Sequence, residues 1–199
     1  MQVSIYNGDP NIYTAKSYFV RGSWNAIADI NTLIDTGRDD GIVDYIHHLN
    51  TGLGKKKLDL VILTHEHFDH TNSLKVIKPE FSPYVIGMAK GPLVDEIPKD
   101  GMKVKIGDCN AEILYTPGHS NDSICIYVPE NGTLFSGDTQ LSIKTIGGTY
   151  TKAYIETLKR LSYLDLKIVY SGHDAPIVGN IADIIAESMN NVLRSSIVD

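Results

Sequence analysis

At 199 residues, with 42 % apolar and 21 % charged content, the chain is long enough for one sizeable core and ordinary in composition for a soluble globular protein. Its net charge of −6 argues against a nucleic-acid surface, which needs a basic stripe; the one compact basic run, Lys55-Lys56-Lys57, reads as a solvated loop before a strand. Two cysteines make no disulfide framework, no apolar stretch approaches membrane-spanning length, and "MQVSIYNGDPN" lacks the basic and apolar regions of a signal peptide, so the expectation is a cytoplasmic protein with no membrane partner.

In chain order, "SYFVRG" and "NTLID" read as strands, being short, rich in β-branched and aromatic residues, and bounded by turn formers. "DDGIVDYIHHLN" puts Ile42, Val43, Ile46 and Leu49 on one helical face, with Asp39 or Asp40 as its cap. The strand "LDLVIL" follows. "TNSLKVIKP" then reads as a short helix capped by Thr71 and stopped before Pro79. Five further strands come next: "PYVIGM", "AEILYT", "ICIYV", "GTLFS" and, after an intervening helix, "KIVYS". Cys125, inside "ICIYV", is expected as a packed strand thiol. That intervening helix, "TKAYIETLKRLSYL", groups Tyr154, Leu158 and Leu161. The last helix, "NIADIIAESMNNVL", sets Ile181, Ile184, Ile185, Ser188, Met189, Val192 and Leu193 on a core face, capped by Asn180. The chain is therefore expected as a single domain over 1–199 of mixed α and β, with too many consecutive strands for a strictly alternating parallel sheet.

Five of the apolar runs end in His or Asp. "TLID" ends at Asp35, "DLVILT" at His65, "EILYTPG" at His119, "TLFSG" at Asp138 and "KIVYSG" at His173. Ligands commonly sit beyond the carboxyl ends of strands, so a shared edge would deliver these side chains to one site. Five of the seven histidines (His65, His67, His70, His119, His173) lie in these segments, whereas His47 and His48 fall in a helix and read as surface or packing residues. His65 and His67 are two apart and face the same way on an extended segment, while Asp69 and His70 diverge. With His119, Asp138 and His173 the donors number seven, too many for one tetrahedral ion, and two ions about 3.5–4 Å apart sharing one carboxylate would use all of them.

"THEHFDH" resembles the HxHxDH signature of the metallo-β-lactamase superfamily, and "NTLIDTG", "TPGHS", "FSGDT" and "SGHD" resemble its other motifs in the same order. The resemblance implies an α+β fold, an αβ/βα sandwich of two mixed β-sheets with outer helices. It implies that His65, His67 and His119 hold one metal, that Asp69, His70 and His173 hold a second, and that Asp138 bridges them, with Asp35 supporting the site without binding metal. Zinc is the expected pair of ions, with iron or manganese as alternatives for a His/Asp set without Cys. The seven-ligand set is shared with hydroxyacylglutathione hydrolases, but only one helix follows His173 here, in place of their C-terminal helical domain.

The expected activity is hydrolysis of a small carbonyl ester, thioester or lactone by a water that the two ions acidify toward pKa about 7, with Asp69 or Asp138 taking its proton. The competing readings are a persulfide-dioxygenase-like oxidoreductase, with one iron on His65, His119 and Asp138, and a phosphodiesterase. The expected partner is a small-molecule substrate. Trp24, Phe68 and Tyr150 are each placed between a substrate rim and ordinary packing, Gly147-Gly148 between a flap hinge and a turn, and Asp174 between orienting a ligand and capping a turn.

Overall fold

Alternation of side chains along the strands sets the layers of the protein, which a computed structural model describes over all 199 residues. The chain begins with β1 (Gln2–Tyr6), β2 (Ser17–Arg21) and β3 (Thr32–Ile34), followed by α1 (Ile42–His48) and β4 (Leu60–Ile62). The short α2 (Phe68–Thr71), α3 (Leu74–Phe81) and β5 (Tyr84–Ile86) complete the first half. The second half holds β6 (Met102–Ile106), β7 (Cys109–Tyr115), β8 (Ile124–Val128), β9 (Thr133–Gly137), β10 (Thr149–Thr151) and α4 (Lys152–Ser162). It closes with β11 (Ile168–Ser171), β12 (Ile177–Val178), α5 (Ile181–Leu193) and β13 (Ser196–Val198).

One mixed sheet has the order β1-β2-β3-β4-β5, antiparallel up to β3 and parallel from there. The other runs β12-β11-β9-β8-β7-β6, with β9 and β11 parallel and the remaining pairs antiparallel. A small parallel pair joins β10 to β13. Tyr18, Val20, Ile34, Leu60 and Ile62 face Ile113, Ile124, Ile126 and Phe135 across the sandwich interior. Their odd neighbours Phe19, Leu33 and Val61 turn outward onto Ile42 and Ile46 of α1 and Leu74 and Ile77 of α3. Likewise Leu114, Cys125 and Leu134 turn outward onto Leu161 of α4 and Ile181 and Ile185 of α5. Each such fully buried aliphatic side chain contributes about 1.5–3 kcal/mol, so one-residue slips of register would be heavily disfavoured. The result is the expected αβ/βα sandwich, with Cys125 packed inside it.

Several local expectations need correction. Pro79 lies inside α3 instead of stopping it, and the position before the helix is Ser73 instead of Thr71. A proline in the last turn removes one helical bond, and Ser82, in the left-handed region at φ 48°, closes the helix through its amide to the Lys78 carbonyl. Gly41 precedes α1 with no side-chain cap, although Asp39 accepts the Gly41 amide at 3.0 Å. Asn180 occupies the cap position of α5 without capping it, its amide being turned to Asp183. Leu193, the last residue of α5, is exposed and does not join the core face. Strands β1, β6, β10, β12 and β13 add to those read from the sequence.

Candidate metal centre

β3, β4, β7, β9 and β11 all run the same way through their sheets, so their carboxyl ends meet at one edge of the sandwich. Asp35, just past β3, adopts φ 56°, a conformation few non-glycine residues take. That turn aims its carboxylate at the end of β4, where Oδ1 accepts the Thr64 amide at 2.8 Å. Oδ2 accepts the Thr64 hydroxyl and His70 Nδ1, each at 2.8 Å. Having given its proton to Asp35, the Thr64 hydroxyl accepts from His65 Nδ1 at 3.1 Å. Asp35 thus fixes two rings, one directly and one through Thr64, and both present Nε2 to the sheet edge.

The structure brings all seven donors together. The ligand atoms of His65, His67, His119 and Asp138 lie within 4.8 Å of one another, as do those of Asp69, His70 and His173. Asp138 stands between the two groups. Its Oδ1 is 3.2 Å from His70 Nε2, and its Oδ2 is 3.6 Å from both His119 Nε2 and His173 Nε2. His67 Nδ1 meets His119 Nε2 at 3.0 Å, and Asp69 Oδ2 meets His173 Nε2 at 3.1 Å. Gly172 makes this approach feasible: a Cβ there would lie 2.3 Å from Asp138 Oδ1 and 2.7 Å from His70 Cε1. Asp122 and Glu66 brace the loop from outside, accepting the amides of Glu66 and Ala89.

Burial, reinforced by His70, pushes the His65 imidazole down to about 4. Burial also lowers His119, with His67 adding to it and Asp138 opposing. His70 goes the other way: burial works against its charge, but Asp35 and Asp138 outweigh that and push it up to about 10. Asp138 chiefly raises His173. For Asp138 itself burial pushes upward, yet His173 and His70 hold the carboxyl well below the usual range. Nε2 of His65, His70 and His173 are buried without a hydrogen-bond partner, Asp138 lying oblique to His70 despite its proximity. Three orphaned ring nitrogens converging on two carboxylates leave a deficit that a central cation would satisfy, so the residues fit a divalent metal.

Around the cluster the outcomes differ by residue. Phe68 is on the rim, half-exposed beneath the Arg38 guanidinium, 5.2 Å above its ring. Tyr13 stacks on the His173 ring at 5.3 Å and approaches Phe68. Tyr150 packs on Tyr154 and lines a cleft of about 180 Å³ with Gly118, His119, Asp138 and Gln140. A second cleft of about 190 Å³ lies between His119 and His173, with Asp174 and Ser171 in its wall. Asp174 gives its amide to Ser171 Oγ, and its carboxylate orients no donor. Gly147 and Gly148 are tied to the segment after α5, the Gly147 amide donating to Ser195 Oγ and the Gly148 carbonyl accepting the Ser196 amide. Trp24 is a correction: it neither rims the site nor packs, but stands 91 % exposed in the β2–β3 turn at the opposite edge. His47 and His48 lie on α1, bonded to Glu80 and to the Asp44 carbonyl. Sequence reasoning missed Tyr13, Arg38 and Thr64; Thr64 alone left a trace, as the Thr directly before the strand-end donor His65.

A family model described as the metallo-beta-lactamase superfamily matches residues 15–92 and 86–173. A hydroxyacylglutathione hydrolase of Chromohalobacter salexigens is 29 % identical over 154 residues, covering 74 % of this chain and 58 % of its own. An atrochrysone carboxyl ACP thioesterase of Aspergillus fumigatus is 30 % identical over 150 residues, covering 73 % of this chain and 47 % of its own. The chain thus spans about half the length of the curated relatives it matches. Among solved structures, the BLEG-1 B3 metallo-beta-lactamase superposes with a TM-score of 0.71 at 20 % identity, over 96 % of this chain and 99 % of that one. ETHE1 from Myxococcus xanthus gives 0.71 at 23 % identity, over 96 % and 83 %. At such identities the likeness concerns the fold.

Proposed function

Because this chain belongs to the metallo-β-lactamase superfamily, we propose that it is a metal-dependent hydrolase of small carbonyl esters, thioesters or lactones. The observation that carries the reading is the convergence of seven His and Asp donors with three buried, unpartnered imidazole nitrogens among them. His65, His67 and His119 would hold one ion, Asp69, His70 and His173 the other, and Asp138 both. Bound there, two divalent ions would supply an acidified water and Lewis acidity toward a carbonyl oxygen. Zinc is the proposed metal, with iron or manganese compatible with the same donors.

The chain's own residues do the rest. Asp35 and Thr64 hold His65 and His70 with Nε2 facing inward, so no ring must reorient when substrate arrives. Asp69 and Asp138 are the carboxylates inside the cluster, and one of their oxygens takes the proton released as water attacks. The two clefts flanking His119 and Asp138 are small and carry no Lys or Arg, which suits a compact, uncharged acyl group. Relatives named as hydroxyacylglutathione hydrolase and ACP thioesterase support a thioester among the three candidates. A cytoplasmic setting accords with two free thiols, Cys109 and Cys125.

The test is metal analysis of the purified protein alongside thioester, lactone and phosphodiester hydrolysis on the same sample, repeated for Asp138→Ala. Two zinc ions with carbonyl hydrolysis, both lost in the variant, are expected. A single iron with oxygen consumption would replace this reading with an oxidoreductase, and wild-type turnover in the variant would remove the bridging role of Asp138.

A further inference from the structure

The edge of the sandwich farthest from the donor cluster carries a feature the proposed hydrolysis does not use. The β2–β3 turn (22–31) and the α1–β4 loop (49–59) are pinned together there. Asn31 Nδ2 donates to the Thr51 carbonyl at 3.2 Å and to the Lys56 carbonyl at 2.9 Å. The Arg21 guanidinium donates to the Asn50 carbonyl, and Lys105 Nζ to the Ala28 carbonyl at 2.8 Å. Gly52 sits so near Asn25 that a Cβ on it would come within 2.9 Å of the Asn25 carbonyl oxygen. These loops are therefore held against each other, yet they project Trp24, Ile27 and Leu53 with 91 %, 85 % and 98 % exposure. Isolated exposed hydrophobics are normal, but three large ones on two touching loop tips are not.

The charge of this pole runs against that of the molecule. Arg21, Lys55, Lys56, Lys57 and Lys105 gather here without a carboxylate ion pair; Lys56 and Lys105 are exposed, whereas the Lys55 Nζ is buried and Arg21 is half-buried against the Asn50 carbonyl. Lys57 gives its ammonium to the carbonyls of His47 and Leu49, which leaves the charge uncompensated. Against these five cations stand four carboxylates: Asp29, buried and bonded to the Ala26 amide, Asp59, bonded to the Asn31 amide, Glu130, which accepts the Asn110 amide, and Glu80, which meets His47. Asp108 is neutralised by the N-terminal ammonium at 2.7 Å. A net-positive pole on a chain of net charge −6 is thus studded with one indole and two aliphatic side chains.

We propose that this pole docks on an anionic lipid surface, with Trp24, Ile27 and Leu53 entering the headgroup layer and the exposed Lys56 and Lys105 facing lipid phosphates and carboxylates. Indole favours the interfacial layer, and aliphatic insertion combined with basic residues is how a protein binds a bilayer without crossing it. No helix here is long and apolar enough to cross a membrane, so the contact is at the surface. A second copy of the same pole is a poorer occupant, because apposing two such faces brings like charges together. In this orientation the donor cluster, at the opposite edge, faces away from the lipid and stays open to dissolved substrate. Docking is thus independent of the hydrolytic reading.

Trp24 is the chain's single tryptophan, so its emission reports on this patch alone. The experiment titrates the whole protein with phosphatidylserine-containing vesicles and with pure phosphatidylcholine vesicles, reading fluorescence and co-sedimentation. The expected result is a blue shift and pelleting with the anionic vesicles only, weakened by salt. Lys56→Gln should lower the partition about fivefold and Leu53→Ser about tenfold or more, both being exposed positions that leave the fold intact. Four results overturn the proposal: no shift and no pelleting, equal binding to neutral vesicles, a shift that grows with protein concentration in the absence of lipid, or the same shift on adding polyglutamate.

Discussion

Asp35 shows how much one side chain outside the proposed ligand set controls. Its Oδ2 accepts two hydrogen bonds at once, from His70 Nδ1 and from the Thr64 hydroxyl, and the second of these dictates which nitrogen of His65 carries a proton. Asp35→Asn puts an amide NH2 or a lone carbonyl where two donors now converge, so at least one ring is released. Partners of this kind change metal affinity by about 10–100-fold. The expected outcome is a drop of that size in zinc affinity, measured by competition with a chromophoric chelator, while circular dichroism is unchanged. Unaltered affinity would remove Asp35 from its supporting role. The left-handed backbone at Asp35 belongs to the same argument, since φ 56° is the turn that lets its carboxylate accept the Thr64 amide, the Thr64 hydroxyl and His70 Nδ1 together.

At the scale of elements, Asp39 ties β1, the loop after it and the start of α1. It accepts the Tyr6 hydroxyl at 2.5 Å and the amides of Asp9 at 2.8 Å and Gly41 at 3.0 Å. Burial pushes its carboxyl up, but these three donors prevail and hold the folded value below the ordinary 3.8. A depressed carboxyl contributes stability that is complete above its unfolded pKa and is lost as pH falls through the folded one. Asp39→Asn should therefore cost about 1 kcal/mol near neutrality, about 2–4 °C in Tm. That gap to the wild type should narrow as pH falls below the ordinary 3.8 and through the lower folded value; a gap constant with pH would assign the loss to packing. The same scale shows what was legible in the sequence. The five strands that end in His or Asp could be read because each is an apolar run cut off by a donor, and the two layers of helix because Ile42, Leu158 and Ile181 sit on clean stripes. Strand β6 is disguised by Lys103 and Lys105, which alternate outward from an edge, and β10, β12 and β13 are two or three residues long and exist only through their partners. Thr64, Tyr13 and Arg38 escaped notice because what they touch is set by the meeting of distant segments.

Across the whole molecule, neither donor group is built by one sheet. His65, His67, Asp69 and His70 follow β4 of the first, while His119, Asp138 and His173 follow β7, β9 and β11 of the second. Ions bound in both groups would tie the two sheets together at one edge and stabilise the folded state by mass action. A ligand a thousandfold above its Kd adds about 4.1 kcal/mol, so removing the metal with a chelator should lower Tm by roughly 10 °C and adding zinc should restore it. Calorimetry that shows no change would mean the groups do not hold metal in the folded protein. This division also has a meaning in time. As the chain is synthesised, the four donors that follow β4 emerge before any of the three supplied by the second sheet. The first group is complete only once Asp138 has been made, and the second waits for His173. A chain made only as far as β9 and the residue after it already holds the whole first group, while Asp69 and His70 still wait for His173, so the two groups are finished one after the other.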